Sequence, residues 1–273
     1  MDIRPIGIFD SGLGGLSAVK EIAKILPNES IVYFGDTGRV PYGTKSKETI
    51  IKYASQDEAF LLSKNVKMII AACGTVSSVA SKTGENLDVP FLGVVEPSAA
   101  DAVKSTKNKK IGVIGTSATV KSGSYEKAIK AIDESVEVFS VACPLFVSIV
   151  EQGWIKEDDE IAMLTAKRYL QPLVEKGVDT LILGCTHFPL ISGTIARVMG
   201  ENVTLISSGG ATAKAAAKLL KENDMLNNEQ NSFKEYYVSD SVEGFSATAK
   251  LFLEQDTDMN VTQIGIENYG KKD

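Results

Sequence analysis

Histidine occurs once in this chain of 273 residues, and cysteine only three times. A single histidine and no CxxC pair leave no ligand set for a structural zinc site. Three scattered cysteines exclude a disulfide scaffold and fit a compartment in which thiols stay reduced. No apolar run approaches the ~18 residues of a membrane span. The opening "MDIRPIGIFDSG" lacks the charged region and long apolar run of a signal peptide. Cationic clusters are also missing. Net charge is −6, and "KNKK" at 107–110 reads as a solvated turn. Nucleic acid is therefore not expected as a partner, because phosphate binding needs concentrated Lys and Arg. "GLGGLS" matches neither the P-loop nor the dinucleotide fingerprint. A cytoplasmic protein acting on a small molecule, with no nucleic acid and no membrane contact, is the expectation.

What is present is an ordinary globular composition, 44% hydrophobic and 23% charged, long enough for one large or two medium domains. Short apolar runs alternate with longer amphipathic segments. "IGIFD" (6–10), "SIVYFGD" (30–36), "VKMIIAAC" (66–73), "FLGVVEP" (91–97), "KIGVIGT" (110–116), "VEVFSVAC" (136–143), "DTLILGC" (179–185) and "NVTLISSG" (202–209) read as strands. Helices are expected over 14–26, 47–64, from Ser77, from Ser98, near 122–132, over 158–176 and after 209. Near-continuous apolar strands are buried on both faces, so the fold class is α/β with mostly parallel sheets. Ligands in such folds bind at the carboxyl ends of the strands. Asp10-Ser11, Asp36-Thr37, Cys73, Thr116, Cys185-Thr186-His187 and Ser207-Ser208 all fall there.

Two of these strand ends resemble each other. "IIAACGT" ends at one cysteine and "LILGCTH" at another, and each follows an "IG" strand, 67 residues earlier at Ile6 and 74 earlier at Ile111. The pattern suggests two related α/β units facing each other, each pointing one thiol into a shared cleft. A thiolate is a base as well as a nucleophile. A redox pair, nucleophilic catalysis and proton transfer on both faces of a carbon all fit two thiols. Only the last uses both without a redox turn, and it requires neither PLP nor a metal. Cys143, in "VACPLF", has no polar neighbours and reads as structural. Trp154 reads as packing. The small residues of "DSGLGG", "CGT" and "SSGG" leave backbone N–H groups free to approach an anion.

"IGIFDSGLGGLSAVKEI", "YFGDTGRVPYGTKS", "IGVIGTSATVKSGSYEKAI", "ACPLFVSIVE" and "LILGCTHFPL" together resemble the bacterial glutamate racemase family, in order from Ile6 to about Thr212. The resemblance implies two α/β domains related by a pseudo-twofold, 1–96 plus 206–273 and 97–205, with the active site between them. It implies a cofactor-independent racemase that interconverts L- and D-glutamate for peptidoglycan synthesis, usually as a homodimer. By the same resemblance Cys73 would take the α-proton from D-glutamate and Cys185 from L-glutamate. Asp10 would support Cys73, and Glu151 and His187 would support Cys185. Ser11, Pro41, Tyr42, Gly43, Gly74, Thr75, Thr116, Thr119, Thr186 and His187 stand where the family contacts substrate, together with Asp10. Plainer readings exist for several. Asp10 can cap the turn that follows it, His187 can be a satisfied core histidine, Glu151 a solvated charge, and "VPYG" an ordinary turn.

The chain departs from the family at one thiol. The usual Cys-Asn-Thr reads Cys73-Gly74-Thr75 here. Loss of one amide contact to a charged partner costs ~1–2 kcal/mol, a five- to thirtyfold effect. This raises two alternatives: a related racemase of the wider superfamily with another acidic substrate, or a weakened or inactive paralogue that binds an acidic ligand and gains activity from Gly74→Asn. Ser207, where the family often has aspartate, is a lesser departure.

Overall fold

Residues 1–253 and 259–270 of this computed structural model are described. Their strands are β1 (Ile6–Asp10), β2 (Ile31–Gly35), β3 (Met68–Ala71), β4 (Phe91–Gly93), β5 (Lys110–Gly115), β6 (Glu137–Ala142), β7 (Thr180–Leu183), β8 (Thr204–Ser207), β9 (Lys234–Val238) and β10 (Val261–Gln263). Between them run α1 (Leu16–Ile25), α2 (Lys47–Ser63), α3 (Gly74–Val79), α4 (Val95–Ser105), α5 (Ser117–Ser122), α6 (Ser124–Ile132), α7 (Pro144–Glu151), α8 (Glu160–Lys176), α9 (Ser192–Met199), α10 (Ser208–Glu222) and α11 (Val242–Leu253).

The strands form two sheets, ordered β10-β9-β2-β1-β3-β4 and β6-β5-β7-β8. Every pairing is parallel. The order β2-β1-β3-β4 recurs as β6-β5-β7-β8, so the repeat read from the two cysteine-tipped runs is a repeat of topology. Cys73 follows β3 and Cys185 follows β7, the equivalent strands. The first sheet adds β9 and β10 beyond β2, neither of which the apolar patterning picks out. "KEYYV" alternates in burial, and β10 has only three residues.

β1, β2, β3 and β7 are buried at every position, as expected of strands covered on both faces. One apolar cluster runs from Ile6 and Ile8 of β1 through Leu16 and Ile22 of α1 to Phe146 of α7 and Leu181 and Leu183 of β7. It therefore packs the two sheets as one body. Local signals set helix ends. The Ser46 hydroxyl accepts from Thr49 N at 3.3 Å before α2, and Asp159 accepts from Ala162 N at 2.9 Å before α8. Gly177 ends α8 at φ 67°.

Several boundaries differ from the sequence reading, these among them. The expected single helix near 122–132 is two, broken at Gly123, whose φ of 66° stops α5 before α6 begins. "FLGVVEP" is strand only through Gly93. Helix α4 starts at Val95, not Ser98, because Pro97 falls in its first turn, where no N–H donor is required. Helix α3 starts at Gly74 rather than Ser77, directly after Cys73.

The start of β3 is held by a buried charge. Lys67, wholly buried, lies 2.6 Å from Glu29 Oε2 and donates to the carbonyls of Asp2 at 2.7 Å and Met225 at 2.6 Å. Glu29 Oε1 accepts from Asn227 N at 2.8 Å. Removing one partner leaves the other charge buried and uncompensated, which typically costs about 3–5 kcal/mol. Urea unfolding of Lys67→Ala and of Glu29→Ala is expected to show losses of that size. The double variant Lys67→Ala/Glu29→Ala should lose less than the sum of the two. A fully additive double variant would contradict the pairing.

Candidate active site

The carboxyl ends of β1, β3, β5 and β7 meet at one cavity of about 420 Å³ between the sheets. Both cysteines line it, with Ser11, Pro41, Tyr42, Gly43, Gly74, Thr75, Thr116, Glu151, Thr186 and His187. Of the site residues named from the family resemblance, Asp10 and Thr119 do not line it, and of the strand-end residues read from sequence, Asp36, Thr37, Ser207 and Ser208 do not either. Val40, Thr44, Ser117, Pro144, Leu145, Val147 and Ser148 also line it and were not foreseen. Ser148 had a signal, since it lies three residues before Glu151 on α7 and so shares its helix face. A more open hollow of about 640 Å³ beside the site, around Lys45, Lys47 and Lys121, contains no thiol or carboxylate.

Asp10 ends β1 and is 1% exposed. Its Oδ2 accepts the N–H groups of Gly12 at 3.2 Å and Gly15 at 3.0 Å, so it does cap the turn. Its Oδ1 is buried with no protein partner. The turn is held further by Tyr33, whose hydroxyl donates to Gly12 O at 2.7 Å. Burial raises the Asp10 pKa, against the opposing pull of His187 and the backbone donors. The Cys73 thiol donates to Ser11 Oγ at 3.6 Å. Burial, and then the nearby Asp10 charge, push its pKa up to about 12.

The second thiol has different company. Cys185 Sγ lies 3.8 Å from His187 Nδ1, and His187 Nε2 lies 3.1 Å from Glu151 Oε1. His187 is buried while Glu151 is 39% exposed at the mouth. Burial opposes a charge on His187, but the contacts with Cys185 and Glu151 outweigh it and raise the pKa to about 10. An imidazolium thus stands beside one thiol and a carboxyl beside the other. Phe252 meets the His187 ring edge-on at 5.6 Å.

Hydroxyls line the floor. Thr75 Oγ1 and Thr116 Oγ1 are 3.0 Å apart across the cleft, and Thr116 Oγ1 is 3.0 Å from Thr119 Oγ1. Thr119 therefore acts on the cavity through Thr116. Tyr42 does not offer its hydroxyl to the cavity. The phenol donates instead to Asp36 and Asp57, and Arg39 joins those carboxylates at 2.6 and 3.1 Å. This buried cluster fixes the Val40–Thr44 loop, whose Val40-Pro41 bond is cis. Burial, and then the Asp36 charge, raise the Asp57 pKa well above the carboxylate range. Cys143 is wholly buried, its thiol 3.7 Å from Val141 O, away from the cavity. Trp154 departs from its expected packing role, being 41% exposed. Ser207 caps α10, accepting from Gly210 N at 3.4 Å. Among the described residues no group of three or more His, Cys, Asp or Glu side chains is placed to hold a metal, and no helix is long and apolar enough to cross a membrane.

Residues 6–216 match the family model described as Asp/Glu/Hydantoin racemase. The chain belongs to that racemase family. It is accordingly an amino-acid racemase, an isomerase. The glutamate racemase of Geobacter metallireducens is 46% identical over 256 residues, covering 93% of this chain and 94% of that protein. The crystal structure of a Bacillus anthracis glutamate racemase isoform superposes with a TM-score of 0.93 at 37% identity, covering 97% of this chain and 98% of that one. The Francisella tularensis glutamate racemase, solved in complex with D-glutamate, gives 0.91 at 39% identity over 98% of this chain and 100% of that one.

In this racemase the His187 pKa, raised from 6.5 to about 10 on folding, has a consequence for stability. The protonated form is favoured in the folded state, so its contribution is complete below pH 6.5 and is lost as pH rises through 10. Urea unfolding at pH 6 and pH 10 is expected to show a fall in stability that His187→Gln largely abolishes. An unchanged fall in that variant would assign the pH dependence elsewhere.

Proposed function

We propose that this racemase interconverts L- and D-glutamate by proton transfer between two cysteines, with no cofactor. The observation that carries the reading is the pairing of Cys73 and Cys185 at equivalent strand ends of two repeated sheets, both lining one cavity and each with its own polar support. A base on each face of the α-carbon is what inversion needs. In the direction from L-glutamate, the Cys185 thiolate takes the α-proton and the C–H electron pair passes into the carboxylate. The Cys73 thiol then gives its proton to the opposite face. Cys73 is left as thiolate and Cys185 as thiol, which is the starting state for D-glutamate.

The two environments support this division. The His187 cation lies 3.8 Å from Cys185 Sγ, where it favours a thiolate formed in the reaction, while Cys73 lies buried beside Asp10 with its pKa raised. Glu151 orients His187 through Nε2. Asp10 Oδ1, without a protein partner, is available to accept from the Cys73 thiol or the substrate ammonium. Threonine hydroxyls and backbone N–H groups at the helix starts suit two substrate carboxylates. Catalytic roles therefore go to Cys73, Cys185, Asp10, Glu151 and His187. Ser11, Pro41, Tyr42, Gly43, Gly74, Thr75, Thr116, Thr119 and Thr186 form the substrate-binding set.

The same reading divides the chain into 1–96 with 206–273 and 97–205, the second boundary falling within β8. It places the enzyme in the cytoplasm as a homodimer that supplies D-glutamate for peptidoglycan.

Racemisation of D-glutamate, followed by circular dichroism, tests the reading. Loss of a positioned acid or base typically costs about 10²–10⁴-fold, so Cys73→Ala and Cys185→Ala should each fall by at least that much. Inversion retained by either variant would refute the two-thiol mechanism. Inversion of aspartate but not glutamate would refute the substrate.

A further inference from the structure

The residue before Cys185 and the residue after Cys73 touch. A Cβ built on Gly74 would overlap the carbonyl oxygen of Gly184, lie 3.1 Å from its carbonyl carbon and 3.7 Å from Cys185 Cα. The obstacle is main chain, so no rotamer relieves it. Neither side can yield easily. Gly184 N donates to Ile114 O at 2.8 Å, and Tyr125 fills the space on its other side, 3.1 Å from where its own Cβ would stand. On the opposite wall, Ala72 N donates to Phe9 O at 2.9 Å and Ser77 Oγ donates to Ala71 O at 2.9 Å, tying the turn to β1 and β3.

Two other glycines of the first sheet's loops meet the second sheet's turns in the same way. A Cβ on Gly43 would stand 2.8 Å from Thr116 Cβ, and one on Gly14 would overlap Thr186 Oγ1 and come within 2.7 Å of His187 Nδ1. Those two press on side chains. Of these three, Gly74 alone meets backbone; it directly follows Cys73 and meets the residue directly before Cys185.

We infer that Gly74 is a positioning residue: its missing side chain sets the spacing of Cys73 and Cys185 across the cleft. The inference rests on the two-thiol reading above. A side chain at 74 must push the turns apart by an amount on the order of 1 Å, the distance needed to restore van der Waals contact. Misplacement of reacting groups by that much can cost ~10²-fold. The sign is opposite to the one read from sequence alone, where an asparagine amide at 74 would be a gain.

A wider cleft has a signature that simple destabilisation lacks. One thiol still removes the α-proton, but the other delivers less often. The first then returns a solvent-derived proton to the same face. Exchange with retention rises relative to inversion.

The test uses pure L-glutamate in deuterated water. Inversion is read by circular dichroism, and α-deuterium in the remaining L-enantiomer by mass spectrometry after chiral separation. Gly74→Ala is expected to lower inversion by about 10- to 100-fold and to raise the ratio of retained exchange to inversion several-fold. Gly74→Asn should fall at least as far. Gly210→Ala, whose Cβ would meet nothing nearer than 3.8 Å, should match the parent. Gly43→Ala gives a smaller rise in the ratio and serves as the probe if Gly74→Ala does not fold. Inversion within twofold of the parent in Gly74→Ala, a gain in Gly74→Asn, or a parental ratio in the folded glycine variants would overturn the inference. Cys73→Ala and Cys185→Ala run in parallel separate the two levels. Inversion in either cysteine variant sinks the mechanism itself, while two inert cysteine variants beside a parental Gly74→Ala sink only the role of Gly74.

Discussion

All ten described strands run parallel to their neighbours, and that constraint decides where chemistry can occur. Parallel strands need crossover connections that return the chain to the starting edge. Each sheet therefore gathers its carboxyl-end turns on one side. Those turns are the places where backbone N–H groups and short polar side chains escape the sheet ladder. When two such sheets share one apolar cluster with these sides facing, the turns of β1, β3, β5 and β7 enclose a cavity. Cys73, Thr116 and Cys185 reach it because each follows the last residues of a strand, and Asp10, the last residue of β1, stands just behind its wall.

Within that frame the two halves are alike in backbone and unlike in charge. Strand order repeats, and so does the position of the thiol. The support does not. Cys73 has Asp10 behind it and Ser11 as acceptor, whereas Cys185 has an imidazole held by Glu151. Burial raises the cost of a charge on either side of the cleft. A cation that is kept protonated stands beside one thiol and a carboxyl beside the other, so the two thiols meet opposite charge environments. A repeated backbone thus carries two thiols in unlike surroundings, which fits the proposed reaction, whose two substrates differ only in handedness.

Much of this was legible in the sequence where the signal was local. "IGIFD" gave β1 to the residue, because five buried positions in a row bounded by a Gly-rich turn leave little alternative. The two cysteine-tipped runs predicted the repeated topology. Asp10, Glu151 and His187 came from motif resemblance, and the cavity contains or adjoins all three. What escaped depended on distant partners. Nothing near Tyr42 announces that its hydroxyl turns inward to Asp57 on α2, or that Arg39 bridges the same carboxylates. β10 is an edge strand of three residues and β9 lies next to it, both with exposed positions and a weak apolar pattern. Gly74 looked like a missing amide because Gly184, its neighbour in space, is 110 residues away.

In the proposed mechanism two thiols work on opposite faces of one carbon. The most direct measurement is racemisation of unlabelled L-glutamate in deuterated water, followed by circular dichroism to equilibrium. If one thiol removes the proton and the other supplies deuterium, the product carries deuterium while the remaining substrate does not. The deuterated product reverts more slowly, so the signal should cross zero and overshoot before returning. A monotonic decay to zero would mean that a single base serves both faces, and would contradict the account.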